Sequence, residues 1–239
     1  MHFLPLFRLP GMLAEPSPAI KLLNKVLAKI GLGYQLKRIP DGITQMHTLE
    51  QRMNFHLLAS RVLEDKIDGE WAEFGCFTGQ SAMVFQKILT ENASVLRIHL
   101  YDFFEKKYRS EKFSPKDELL RNFREQVLPE PHIHEGNFFD TVPSALPQKL
   151  AMVHIDCGYG GDTDKLKNTL HHLLQHIYPR LSSGAVVFLM DYHDPERTVH
   201  GTPINPGVRL ACDEFLVNKP ERVFTLYGGA YSHGYFIKA

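Results

Sequence analysis

Strand-like and helical stretches take turns along most of this chain, and that alternation narrows the folds open to it. Trp71–Phe74 reads as a first strand and Ser81–Thr90 as the helix that follows. Leu96–Tyr101 is the second strand, and Ser114-Pro115 supplies the N-cap and first-turn proline of a helix reaching Val127. His132–Glu135 and Leu150–Ile155 are the third and fourth strands, with a helix from Asp164 to Tyr178 behind them. Gly184–Met190 is an apolar fifth strand of the kind buried on both faces. A helix over Val208–Leu216 precedes Val223–Tyr227 and Tyr231–Ile237, which flank Gly228-Gly229-Ala230 as a closing hairpin. Such an order predicts an α/β fold: a mostly parallel sheet, helices on both faces and an antiparallel hairpin at the C-terminus.

Ahead of the first strand, residues 18–31 place Ile20, Leu23, Leu27 and Ile30 on one helical face and Lys21, Lys25 and Lys29 on another. We expect this amphipathic helix to pack on the core, on a lid or on a second subunit rather than on a membrane surface. Thr48 and Gln51 have capping-box spacing for a helix running to about Lys66. The expected division is therefore an N-terminal arm and helix over 1–45, serving as lid or dimer contact, and a main domain over 46–239. A homodimer is the expected assembly.

Lys+Arg and Asp+Glu both number 27, which leaves no basic excess for binding nucleic acid through its phosphates. No stretch has the length of a membrane span. The apolar start is interrupted by Pro5, Arg8 and Pro10, so it reads as an arm that stays on the protein rather than a signal peptide. Cys76, Cys157 and Cys212 are odd in number and lack CxxC spacing, which favours a reducing cytoplasm over a disulfide framework or structural zinc.

Ligands of open parallel sheets bind beyond the carboxyl ends of the strands. The polar residues there are Glu73, Asp102, Asn137, Asp156 and Asp191. After Glu73 the chain turns through Gly75 and Gly79 and opens into a helix near Ser81, a place where free N–H groups favour negative charge. A carboxylate in that turn repels a pyrophosphate but attracts an ammonium, so the ligand expected is a zwitterion such as S-adenosylmethionine. Asp102 suits the two ribose hydroxyls of an adenosyl group. Asp156 and Asp191 suit a divalent cation held against a substrate hydroxyl, or a general base. His193 is a second candidate base, or a loop histidine with no task. Cys76 and Cys157 are read as small packing residues, and His172 with His176 as a solvated helix face.

These motifs, in order and spacing, resemble the macrocin O-methyltransferase (TylF-type) family of class I S-adenosylmethionine-dependent methyltransferases. The matching blocks are Glu73–Ser81, Asp102–Glu105, Gly136–Pro143, His154-Ile155-Asp156, Tyr178–Leu181 and Gly207–Phe215, spread over residues 45–239. The resemblance implies a Rossmann-like class I methyltransferase sheet and Mg2+-assisted methyl transfer to a hydroxyl of a small molecule, a sugar or other natural product. It assigns Glu73 and Gly75 to the methionine end of S-adenosylmethionine and Asp102 to the ribose, with Phe77, Gly79, Ser81 and Asp156 also among the cofactor-binding residues. It places Asn137 and Phe138 near adenine, and Asp156 and Asp191 at metal and substrate. Gly158 and Met190 stand where that family carries further carboxylates, so a Mg2+ site built on Asp156 and Asp191 has fewer oxygens than its preferred octahedron. Two other readings remain open here: a catalytically silent cofactor-binding protein of the same fold, and an NAD-dependent oxidoreductase. Glu73, the missing GxGxxG and the terminal hairpin weigh against the latter.

Overall fold

A computed structural model describes residues 18–32, 47–104, 114–158, 162–193, 205–228 and 232–239. The arm before Pro18 lies outside those residues, as do most residues of the loops over 103–113 and 193–206, which the sequence leads us to expect around the acceptor pocket. Two compact units divide the chain, Met1–Met46 and His47–Ala239. In the first, helix α1 (Pro18–Lys29) buries no residue, and Leu22, Leu23, Val26 and Ile30 are each at least 47% exposed.

The second unit carries the alternation. Its elements are α2 (Leu49–Glu64), β1 (Glu70–Phe74), α3 (Gln80–Glu91), β2 (His99–Asp102), α4 (Pro115–Glu125), β3 (His132–Glu135) and α5 (Phe138–Thr141). There follow β4 (Leu150–Ile155), α6 (Thr163–Ile177), a 3-10 turn at Tyr178–Arg180, β5 (Leu181–Leu189), α7 (Pro206–Leu216), β6 (Phe224–Leu226) and β7 (His233–Ile237). One seven-stranded sheet has the order β3-β2-β1-β4-β5-β7-β6. Pairs among β1 to β5 are parallel, and β7 runs antiparallel to both β5 and β6. The expected mostly parallel, Rossmann-like sheet with a C-terminal antiparallel pair is what the chain forms.

Side chains alternate across a strand, and each face has its own apolar layer. Ala72, Phe74, Tyr101, Val153 and Ile155 pack with α6 and α7 residues such as Leu170, Leu174 and Ala211. Trp71, Leu100, Met152 and Phe188 face the other way, toward Phe55 of α2 and Phe85 of α3. Glu73 and His154 are register partners on β1 and β4, and both are fully buried. They form a polar pair in that second, aromatic layer.

The capping box forms as its spacing predicts: Gln51 N–H donates to Thr48 Oγ1 at 3.1 Å, and Thr48 N–H donates to Gln51 Oε1 at 2.8 Å. Ser114 caps α4 with Pro115 in its first turn. Several boundaries and one element differ from expectation. β2 starts at His99 rather than Leu96, β5 starts at Leu181 rather than Gly184, and the single-turn α5 has no periodic signal to announce it. Among the described residues no helix is long and apolar enough to cross a membrane.

Candidate active site

Sheet order reverses between β1 and β4, and a crevice at such a reversal opens beyond the strand ends. Two backbone bonds draw the three central strands together there. Gly75 N–H donates to Tyr101 O at 2.8 Å, and Asp156 N–H donates to Phe74 O at 2.8 Å. Gly75 has φ +83°, and a Cβ added to it would stand 2.1 Å from the Asp156 carbonyl oxygen. Its glycine therefore serves the approach of two backbones at the floor of the crevice. The chain then passes Phe77, at φ 45°, and Gly79, at φ 79°, into α3, whose N-terminus no side chain caps.

Asp102 closes β2 and anchors two loops: its Oδ2 accepts from Phe77 N–H at 2.8 Å and its Oδ1 from Phe104 N–H at 2.7 Å. Each oxygen keeps a second lone pair. Asn137 is exposed and caps α5, its Oδ1 accepting from Phe139 N–H at 3.0 Å. Phe138 sets its ring edge-on to Phe74, 6.0 Å between centroids, beside the end of β3.

Glu73 lies one residue inside the strand end. Its Oε1 accepts from the Ser81 hydroxyl and stands 3.0 Å from His154 Nδ1, while its Oε2 has no hydrogen-bond partner. Burial, opposed by the Ser81 hydrogen bond, pushes the Glu73 carboxyl up to about 8. Ser81 is thereby turned inward to a protein carboxyl. The His154 ring is surrounded by Phe55, Phe85 and Phe188, and burial brings its pKa down to about 3. Its Nε2 is buried without a partner.

Asp156 and Asp191 emerge from neighbouring strands, but each is held by a different group. Asp156 Oδ2 stands 3.0 Å from His47 Nε2, and Asp191 Oδ2 accepts from the Asn205 amide at 2.6 Å. Asp191 adopts φ 61°, and its Oδ1 lies 3.5 Å from His193 Nε2. His193 is buried, with Nδ1 2.6 Å from the Ser232 carbonyl, so Nδ1 carries the proton and Nε2 faces Asp191. A side chain at Gly158 has no room, because its Cβ would meet Asp191 Oδ2 at 1.8 Å and Asn205 Nδ2 at 2.4 Å. The Asp191–Asn205 pair thus occupies the space that a side chain at that position would take. Mg2+ wants about six oxygens at ~2.1 Å. A histidine-bound Asp156, an amide-bound Asp191, Gly158 and Met190 do not supply that set.

Sequence reasoning missed four contributors: His47, His154, Asn205 and Ser232. His154 left one signal, a polar residue inside an otherwise apolar buried strand; the other three left none. The two cysteines near the site are buried, and burial raises both thiols far from a reactive range, in keeping with packing. His172 and His176 lie edge to face on α6, and His172 Nε2 is 3.2 Å from Val142 O.

With this geometry in view, a family model described as a methyltransferase domain matches residues 72–192. The chain belongs to that family. With it stand the expected class of enzyme, a methyltransferase, and its donor, S-adenosylmethionine. No curated protein matches the chain in sequence. Among solved structures, the O-methyltransferase NovP is 19% identical, with 92% of this chain and 98% of that chain covered at a TM-score of 0.64. CalS11, a TDP-rhamnose 3'-O-methyltransferase of calicheamicin biosynthesis, is 18% identical over 92% of this chain and 95% of its own, with a TM-score of 0.59. The methyltransferase PaMTH1 of Podospora anserina, solved with S-adenosylhomocysteine bound, is 12% identical over 97% and 100%, with a TM-score of 0.58. At such identities these likenesses speak for the fold.

Proposed function

We propose that this methyltransferase transfers the methyl group of S-adenosylmethionine to a hydroxyl of a small, sugar-like natural product, in the manner of the macrocin O-methyltransferase (TylF-type) family. The observation that carries the reading is the convergence of Gly75, Asp102 and Asp156 on the β1/β4 reversal, with Glu73 beneath it. NovP and CalS11, both named as O-methyltransferases and the latter acting on a nucleotide sugar, support it.

When bound, S-adenosylmethionine supplies an electrophilic methyl group on sulfur. The chain's own residues do the rest. The second lone pairs of Asp102 accept from the ribose hydroxyls while its first pairs hold Phe77 and Phe104 in place. Glu73, whose Oε2 is buried without a partner, gives up its proton to meet the ammonium of the methionine end. Asn137 and Phe138 border the adenine side. His193 is the base: the Ser232 carbonyl fixes its tautomer, Nε2 takes the acceptor's hydroxyl proton, and Asp191 stabilises the imidazolium. Fixing the hydroxyl oxygen in line with the methyl–sulfur bond supplies much of the acceleration. Residues 1–45 belong to the same proposal as a lid or dimer contact, and the cytoplasm as the setting.

Calorimetry with S-adenosylhomocysteine tests the binding half. Asp102→Ala should raise its Kd about 10- to 100-fold, since hydrogen bonds to a charged group contribute about 1.5–3 kcal/mol. His193→Gln should leave that Kd within about 2-fold and abolish methyl transfer to a panel of hydroxylated acceptors. Binding without transfer to any acceptor would instead favour a silent cofactor-binding protein, and heat with NADH alone would favour an oxidoreductase.

A further inference from the structure

We propose that His47, His154 and Asp156 form a binding site for a divalent first-row transition cation of the Zn2+ or Co2+ kind. One ligand atom from each residue lies within 4.8 Å of the other two. His47 Nε2 and Asp156 Oδ2 are already 3.0 Å apart. Ligands about 2.1 Å from a shared ion sit about 3–3.5 Å from one another, the spacing that the His47–Asp156 pair already has.

A second, independent observation points to a ligand. His154 Nε2 is fully enclosed and has no hydrogen-bond partner, although the neighbouring Nδ1 is engaged by Glu73 Oε1 at 3.0 Å. A buried, unpartnered ring nitrogen is costly to keep, and a cation is the partner its lone pair suits. The Glu73–His154 contact also repeats the way metal-bound histidines are oriented, with the second ring nitrogen on a carboxylate. His47 is held in place from behind. Its carbonyl accepts from the Arg52 guanidinium at 2.9 Å, and the adjoining Thr48 hydroxyl donates to Gly228 O at 2.9 Å, tying the start of α2 to the chain beyond β6.

Two imidazoles and one carboxylate are the donors of Zn2+, Co2+, Ni2+ and Fe2+ sites, whereas Mg2+ prefers oxygen alone. The Asp156 side chain is 21% exposed, which gives an ion and water a way in. Three protein ligands leave at least one coordination position for water or an acceptor oxygen. That use of the ion rests on the transferase reading; its binding does not.

The test uses the full chain, stripped with chelator and dialysed against Co2+ or Mg2+. Retention of one equivalent of Co2+, with visible d–d absorption and no comparable Mg2+ retention, is expected. His47→Ala should lower the Co2+ affinity about 100-fold, the upper end of what removing even an outer partner of a metal ligand costs. His134→Ala, in the separate histidine group His99, His132 and His134 on β2 and β3, should leave it unchanged. No retained Co2+, equal retention of Mg2+, unchanged affinity in His47→Ala or a loss in His134→Ala would each overturn the proposal. Circular dichroism checks that each variant is folded, and Asp156→Asn replaces His47→Ala if the latter is not. S-adenosylhomocysteine binding, measured on the same samples, separates the two failures: binding of it without Co2+ sinks the metal site and leaves the transferase, and the reverse result does the opposite.

Discussion

Gly75 shows how a single residue can be required for a reason its neighbours in sequence do not reveal. Its backbone has φ +83°, and the space where a methyl group would stand belongs to the Asp156 carbonyl. Gly75→Ala combines a left-handed conformation, about 1–2 kcal/mol, with a backbone clash that β1 and β4 must separate to relieve. We expect a loss of at least ~2 kcal/mol, read as a fall in Tm of about 4–8 °C for a chain of this size. Gly158 makes the complementary point. Placing a carboxylate there with Gly158→Asp should not create a Mg2+ site, because the new side chain runs into Asp191 and Asn205. The expected outcome is a lower Tm and methyl transfer no more responsive to Mg2+ than before; stimulation by Mg2+ in this variant would show that the pair yields easily.

At the scale of the element, α2 joins the sheet's aromatic layer to the site. Phe55 on this helix sits against the rings of Phe85, His154, Phe188 and His233, and the residue just before the helix cap is His47. Thr48→Ala removes both the hydroxyl that accepts from Gln51 N–H and the bond to Gly228 O. A loss of about 1–2 kcal/mol is expected for such a cap, measurable by urea denaturation. The start of α2 was plain in the sequence because a capping box is a pattern of four residues. Helix α5 was not, since one turn held by Asn137 has too few residues to show a period. The early start of β5 at Leu181 was hidden for a related reason: Ser182, Ser183 and Gly184 break the apolar run that marks a buried strand.

Across the whole molecule, buried titratable groups set how stability follows pH. In chelator-treated protein, Glu73 holds its proton more tightly folded than unfolded, with a folded pKa of about 8 against 4.5. Its contribution is complete below about pH 4.5 and is lost as pH rises toward about 8. His154 and His233 are brought down to about 3 from 6.5, in both cases chiefly by burial. Their contributions are complete above about pH 6.5 and are lost as pH falls toward about 3. Together these groups predict stability that climbs to about pH 6.5 and declines from there to about pH 8. Urea unfolding across that range checks the shape, and Glu73→Gln should remove most of the decline on the alkaline side.

The order of strands and helices, the glycine turn after β1 and the acids at the strand ends were all legible in the amino-acid sequence. Each is a local pattern, expressed over a few residues by periodicity, backbone freedom or a change from apolar to charged. The partners of those acids were not legible. Asp156 meets His47 from 109 positions away and Glu73 meets His154 from 81 away, while Asp191 is shared between Asn205 and His193. Parallel strands are joined only through long crossovers, so residues remote in the chain come level at the strand ends. Which side chain then faces which is decided by sheet register and by the docking of α2, and only the folded molecule contains that information.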